Sequence, residues 1–241
     1  GDVKHVLRQL LKELPDKGPK REEWHTQIEE WRKKYPLTYK KDDKVIKPQY
    51  LCEAVWEATK GDAIIATEVG QHQMWVAQYF QFAKPNTFLT SGGLGTMGFG
   101  LPAAVGAQVA HPDKTVIDMA GDGSIQMTIQ ELTTASIYKL PIKVYIFNNG
   151  FHGMVRQWQQ LIHNKRYSYV NLTGSPDFVK LAEAYGCAAF RTDKPSEVLD
   201  VIRETLKIKD KPTVVDFRVS PEENVFPFVP PGQAINEMIV D

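Results

Sequence analysis

Apolar residues along this chain first recur with a helical period. Val3, Val6, Leu7, Leu10, Leu11 and Leu14 form one stripe of a helix over residues 2–14, with Asp2 placed to cap its start. After a Pro-Asp-Lys-Gly-Pro break at 15–19, Trp24, Ile28, Trp31 and Tyr35 repeat at four, three and four residues among many charges. Interleaved aromatics and lysines are compatible with a nucleic-acid surface, but a helix packing its aromatic stripe on a neighbour is the preferred reading. The run Lys40-Lys41-Asp42-Asp43-Lys44 reads as a solvated linker. From Pro48 the pattern changes to helices alternating with short apolar strands. Residues 48–59 predict a helix with Pro at its first position and Gly61 just past its end. Strands are predicted at 63–67, 115–119, 142–147 and 213–219, and the first lacks polar alternation, as a strand covered on both faces does. Between them lie a glycine-rich segment (91–106) merging into a small-residue helix (101–110), and a helix over 125–138. Further helices open at Ser175-Pro176-Asp177 and at Pro195. This alternation implies an α/β fold, a doubly wound parallel sheet with helices on both faces. The expected organisation is a helical arm and linker (1–47), the α/β domain (48–220) and a C-terminal tail (221–241).

Composition narrows the function. Lys plus Arg and Asp plus Glu are 29 each, so the net charge is zero and a broad nucleic-acid-binding face is disfavoured. The two cysteines, Cys52 and Cys187, lie far apart and fit neither a disulfide framework nor a zinc site. A reducing interior, cytosolic or inside an organelle, suits them best. No apolar run approaches the roughly 18 residues of a membrane helix, and no signal-peptide pattern opens the chain. A sequence opening on Gly1 inside helical pattern reads as a piece of something longer.

In a doubly wound sheet, ligands bind beyond the carboxyl ends of the strands where the topology reverses. The chemistry is therefore expected just after Thr67, Ala120 and Phe147. Gly121-Asp122-Gly123-Ser124 follows the second of these strand ends and Asn148-Asn149 the third. If the intervening helix is a crossover between neighbouring strands, an Asp carboxylate and an Asn amide oxygen meet at one sheet edge. Both are hard ligands suited to magnesium, which leaves coordination positions for phosphate oxygens. Gly123 and Ser124 open the next helix, where free N–H groups favour an anion.

Gly-Asp-Gly-Ser followed by Asn-Asn resembles the thiamine-diphosphate signature. Within that superfamily, Val69-Gly70-Gln71-His72-Gln73-Met74-Trp75, the run from Ser91 to Pro102, and Gly153-Met154-Val155-Arg156-Gln157-Trp158 are similar to acetohydroxyacid (acetolactate) synthases. The resemblance covers about residues 48–220, with a weaker echo in Pro227–Gly232. It implies that Asp122, Asn149 and the main-chain oxygen of Phe151 bind magnesium. Gln71 and His72 would meet the diphosphate end, and Val69, Gly70, Gly121, Gly123 and Ser124 would be further cofactor-binding residues. Gly95 and Met97 would lie against the aminopyrimidine, and His152, Gly153 and Met154 would border the cofactor. Trp158 would shape the pocket for the second 2-ketoacid. The implied reaction decarboxylates pyruvate and joins the two-carbon unit to pyruvate or 2-ketobutyrate, for branched-chain amino acid synthesis. In that family the activating glutamate sits on a separate N-terminal domain of a partner subunit, and a middle domain holds FAD. No glutamate of this sequence lies in that motif, and the middle domain is expected to be reduced here to its last helix, residues 2–14, so no catalytic residue is assigned and the chain alone is expected to bind cofactor weakly and turn nothing over. A homodimer or larger assembly, with a possible regulatory subunit, is implied for the intact enzyme.

Two rivals remain. Gly93-x-Gly95-x-x-Gly98 with Asp118 matches a nicotinamide-binding fingerprint, although Pro85–Thr90 makes a poor first strand and Asp118 falls inside a strand. A non-catalytic cofactor-binding module would share every residue named above. Taken singly, Asp-Gly is a common turn, His72 a loop residue, Met97 and Met154 core filler and Trp158 a core side chain; their grouping is the argument. Glu68 fits the family's catalytic glutamate neither in motif nor in domain and stays unassigned.

Overall fold

The computed structural model describes residues 1–15 and 18–240. Its contacts divide into two compact units, Gly1–Thr38 and Tyr39–Asp241. In the first, α1 (Val3–Glu13) starts at Asp2, whose carboxylate accepts the His5 N–H at 2.9 Å. Its apolar stripe is exposed throughout. The break predicted at 15–19 includes positions 16 and 17, which lie outside the described residues. In α2 (Glu22–Lys34) the rings of Trp24 and Trp31 meet edge to face, 5.5 Å between centroids.

The second unit begins before the helix at Pro48. Ile46 is fully buried and pairs with Val219 in a parallel bridge, and Lys47 forms a 2.6 Å ion pair with Glu223 in the tail. Helix α3 (Pro48–Thr59) has Pro at its first position and ends as Lys60 turns left-handed (φ 52°), followed by Gly61 (φ 69°). The left-handed stop thus starts one residue before the predicted glycine.

Then follow β1 (Ile64–Thr67), α4 (Gln71–Tyr79), β2 (Phe88–Thr90), α5 (Gly100–Ala110), β3 (Val116–Gly121), α6 (Glu131–Ile137) and β4 (Lys143–Asn148). The unit continues with α7 (Gly153–Leu161), α8 (Phe178–Ala184), β5 (Ala188–Thr192), α9 (Val198–Lys207) and β6 (Thr213–Arg218). The strands form one six-stranded sheet, order β2-β1-β3-β4-β6-β5, with every pairing parallel. Strand alternation sorts the core onto two faces. Ile65, Ile117, Met119, Tyr145, Phe147, Val215 and Phe217 meet residues of α3, α4 and α9. Ile64, Ala66, Val116, Ala120, Val144, Ile146 and Val214 meet those of α5, α6 and α8. Each central strand is buried on both sides, which is why β1 reads without polar alternation, while β3 and β6 each also bury an aspartate, Asp118 and Asp216.

The helix predicted over 125–138 is broken. Ile125–Met127 is a 3₁₀ turn, Thr128 leaves helical geometry (φ −139°), and α6 starts only at Glu131. The cause is tertiary: the Thr128 hydroxyl donates to the Gly98 carbonyl at 2.9 Å, and Met127 and Thr128 fill the space a side chain at Gly98 would need. Docking the glycine-rich loop outweighs one more turn of helix. Pro85–Thr90, a poor strand by pattern, does supply β2 at the sheet edge. Among the described residues no helix is long and apolar enough to cross a membrane.

Candidate functional site

The chain leaves β1 for β2 on one side and returns past β1 to β3, which leads on to β4 on the other. The crevice beyond the carboxyl ends of β1 and β3 is therefore the switch point of the sheet. A cavity of about 400 Å³ opens there. It is lined by all the candidate residues: Val69 to His72 from the turn after β1 and the start of α4, Gly95 and Met97 from the glycine-rich loop, Gly121 to Ser124 after β3, Asn149 and Phe151 to Met154 after β4, and Trp158 on α7.

Strands β3 and β4 are parallel neighbours, with Gly121 opposite Phe147, so the turns that follow them lie side by side. Asp122 is buried, and its Oδ2 accepts the Gly150 N–H at 3.0 Å, which ties one turn to the other. Burial pushes its carboxyl up to about 7, main-chain donors oppose this, and the charge of Asp216 adds to it. No cationic side chain pairs with Asp122 among the described residues. A desolvated carboxylate in this position favours a cation, and among the described residues no cluster of three or more His, Cys, Asp or Glu makes an all-protein cage.

The two asparagines separate by strand alternation. Asn148 points away and donates to Oδ1 of the buried Asp216 at 2.9 Å, and the exposed Arg191 and Arg218 pair with Oδ2 of the same carboxylate. Asn149 faces the cavity, where its Oδ1 accepts the Phe151 N–H at 3.0 Å. A bridge between Phe151 and Asn171 uses the Gly150 carbonyl and the His152 N–H. That leaves Phe151's own N–H and C=O on the opposite side, where the N–H meets Asn149.

Several glycines are explained by what packs on them. A Cβ at Gly121 would come within 2.8 Å of the His72 ring, and one at Gly123 within 2.8 Å of His152. A Cβ at Gly153 would overlap Gln71 Oε1. Gln71 cannot yield easily, because its amide donates to Gln157 Oε1 (2.8 Å) and to the Glu223 carbonyl (3.0 Å). Gln157, fully buried, also exchanges hydrogen bonds with the main chain of Val225 and so fastens the tail to the site. Sequence pattern misses this role, since a glutamine on an amphipathic helix reads as a surface residue. It also misses Phe228, which lines the cavity and meets the Trp158 ring edge to face at 6.1 Å. An aromatic in the proline-rich run Phe226-Pro227-Phe228-Val229-Pro230 carries no periodic signal.

The nicotinamide reading fails on geometry. Asp118 is fully buried in the interior of β3, and a Cβ at Gly100 would overlap its carboxylate, so it cannot reach a ribose. The strand before the glycine loop lies at the sheet edge, away from the switch point.

A parallel α/β sheet with hard oxygen donors and glycine-lined turns at its switch point is the kind of site that holds an anionic cofactor with a divalent ion. The thiamine pyrophosphate enzyme family, in its C-terminal TPP binding domain, matches residues 68–217, and the chain belongs to that family. It is 45% identical over 244 residues to the acetolactate synthase large subunit of Haemophilus influenzae, covering 100% of this chain and 43% of that protein. With the acetolactate synthase isozyme 3 large subunit of Escherichia coli it shares 44% identity over 245 residues, 99% of this chain and 43% of the relative. Among solved structures it resembles a thiamine diphosphate-dependent 4-hydroxybenzoylformate decarboxylase of Rhodococcus jostii RHA1 (TM-score 0.69, 29% identity, 79% of this chain and 36% of the other). The chain thus spans under half the length of the curated relatives it matches.

Proposed function

We propose that the cavity binds thiamine diphosphate with magnesium, and that the chain is the cofactor-binding portion of an acetolactate synthase. The observation that carries this reading is the meeting of Asp122 and Asn149, from adjacent parallel strands, at the mouth of one switch-point cavity. The donor set fits the ion: a carboxylate, an amide oxygen with a second lone pair, and the Phe151 carbonyl, all hard oxygens. A cation there would relieve the desolvation that raises Asp122.

Asp122, Asn149 and the Phe151 carbonyl would hold magnesium. Val69, Gly70, Gln71 and His72, with the Gly121–Ser124 turn, would surround the diphosphate end. Gly95 and Met97 would form the wall against the aminopyrimidine, Met97 as the apolar wedge, and His152, Gly153 and Met154 would close the other side. Trp158, braced by Phe228, would limit the space for the second 2-ketoacid. When bound, thiamine diphosphate supplies an electron sink for decarboxylation of a 2-ketoacid, and the protein's part is to orient it and exclude water. Pyruvate and 2-ketobutyrate would be the substrates of the whole enzyme, in branched-chain amino acid synthesis within the cytoplasm or an organelle. That enzyme would add an N-terminal domain carrying the activating glutamate, an FAD-binding domain, and a dimeric or larger assembly open to a regulatory subunit. Residues 1–47 would be the arm leading from the middle domain and 221–241 a tail closing the site.

The test is calorimetric titration with thiamine diphosphate, with and without magnesium, on the parent chain and on Asp122→Ala. The parent should bind only with magnesium, and the variant should lose at least about tenfold in affinity, as expected for removal of a charged ligand. Equal binding by both, or indifference to magnesium, would sink the assignment.

A further inference from the structure

Glu68 follows the last residue of β1 and is fully buried, yet it does not line the cavity. Its carboxylate collects donors from two other loops. Oε2 accepts the Gly98 N–H at 2.6 Å and the Ser124 hydroxyl at 2.9 Å, and Oε1 accepts the Leu101 N–H at 3.0 Å. Ser124 Oγ in turn accepts the Val69 N–H at 3.1 Å. One side chain thereby joins the turn after β1, the loop carrying Gly95 and Met97, and the turn carrying Asp122. Each of those segments forms part of the cavity wall. Helix α5 has no capping side chain of its own, and Glu68 supplies that acceptor from outside the helix.

Every hydrogen bond to this carboxylate among the described residues comes from a donor, the set that an acceptor-only, ionised carboxylate takes. Burial pushes Glu68 up, and the Leu101, Ser124 and Gly98 donors pull it back. The other carboxyl group near it, Asp118 on β3, has neither oxygen hydrogen-bonded among the described residues. Burial and then the charge of Glu68 push Asp118 well above its usual value.

We propose that Glu68 is a positioning residue: its carboxylate sets the spacing between the Met97 wall and the Asp122–Ser124 turn, and so preorganises the cavity for its cofactor. The proposal rests on the thiamine diphosphate reading above. It assigns Glu68 no proton transfer, because the side chain lies behind the wall and touches nothing in the cavity.

Glu68→Gln keeps size and shape but has a single acceptor oxygen, and its amide N–H₂ would oppose the main-chain and hydroxyl donors. Two measurements on the 241-residue chain test the idea. Amide hydrogen exchange without cofactor should be at least about tenfold faster at Gly98 and Leu101 in Glu68→Gln, with central strand amides unchanged, since a charge-assisted bond to each is lost. Calorimetry at saturating magnesium should show thiamine diphosphate bound at least about tenfold more weakly, as expected for lost preorganisation. Parent-like exchange at Gly98 and Leu101 would overturn the clamp itself. Parent-like affinity in the variant, when Asp122→Ala abolishes binding, would overturn the positioning role and leave the cofactor assignment standing. A parent chain that binds no thiamine diphosphate would instead sink the functional reading and the positioning role with it. Should Glu68→Gln not fold, Ser124→Ala removes the link to Val69 and should show the same pattern more weakly; parent-like values in both measurements there would equally overturn the proposal.

Discussion

Replacing His72 by Gln should change how stability depends on pH, and the size of the effect follows from where the ring lies. His72 is 5% exposed, its ring packed against Gly121 and tilted against Phe147 at 6.2 Å between centroids. Its Nε2 has no hydrogen-bond partner among the described residues. Burial lowers its pKa from 6.5 to about 3, opposed by a bond to the Glu68 main chain. A base whose folded pKa lies below its unfolded value takes up its proton first in the unfolded chain. The stability this neutral ring contributes is therefore complete above pH 6.5 and is lost as the pH falls towards 3. At about 1.4 kcal/mol per pH unit, the loss at pH 5 is about 2 kcal/mol. Burial raises Glu68, Asp118 and Asp122, so these groups act in the opposite sense, but they are common to parent and variant. Urea unfolding followed by circular dichroism at pH 7.5 and pH 5 gives the comparison. The parent's free energy minus that of His72→Gln should be about 2 kcal/mol smaller at the lower pH. A difference that does not move with pH would refute a neutral, desolvated His72.

Gly153→Ala places a methyl group on Gln71 Oε1 and within 2.8 Å of Asn149 Nδ2, and Gln71 is pinned by Gln157 and Glu223. It should cost about 1–3 kcal/mol of stability by overpacking, and calorimetry should show weaker magnesium-dependent cofactor binding. Gly100→Ala meets main-chain atoms of Thr67 and Glu68 at 2.6 Å as well as the Asp118 carboxylate. Backbone cannot rotate aside, so thermal melting should show a loss at the upper end of about 1–3 kcal/mol or beyond, and a parent-like melt would contradict the close approach of α5 to β1.

Much of this protein is legible without coordinates. The apolar run at β1 announces a strand covered on both faces, because alternation has no reason to appear where neither face meets water. Asp122 and Asn149 could be placed at one edge because a crossover between parallel strands returns the chain to the same end of the sheet. The elements that pattern misses are short, exposed or polar. Strand β2 has three half-buried residues, β5 is an edge strand with an exposed arginine, and α4 opens on Gln-His-Gln. Their stability comes from the sheet and helices they join, which no local window contains.

Folding alone decided which polar residues became scaffold and which became cavity wall. Asn148 and Asn149 are chemically identical neighbours, yet one turns to Asp216 and the other to the cavity. Glu68 and Asp118 are both wholly buried acids, but one gathers donors from two loops while the other has none among the described residues. Local sequence sets what a side chain can offer; which partners reach it depends on loops brought together from positions dozens of residues apart.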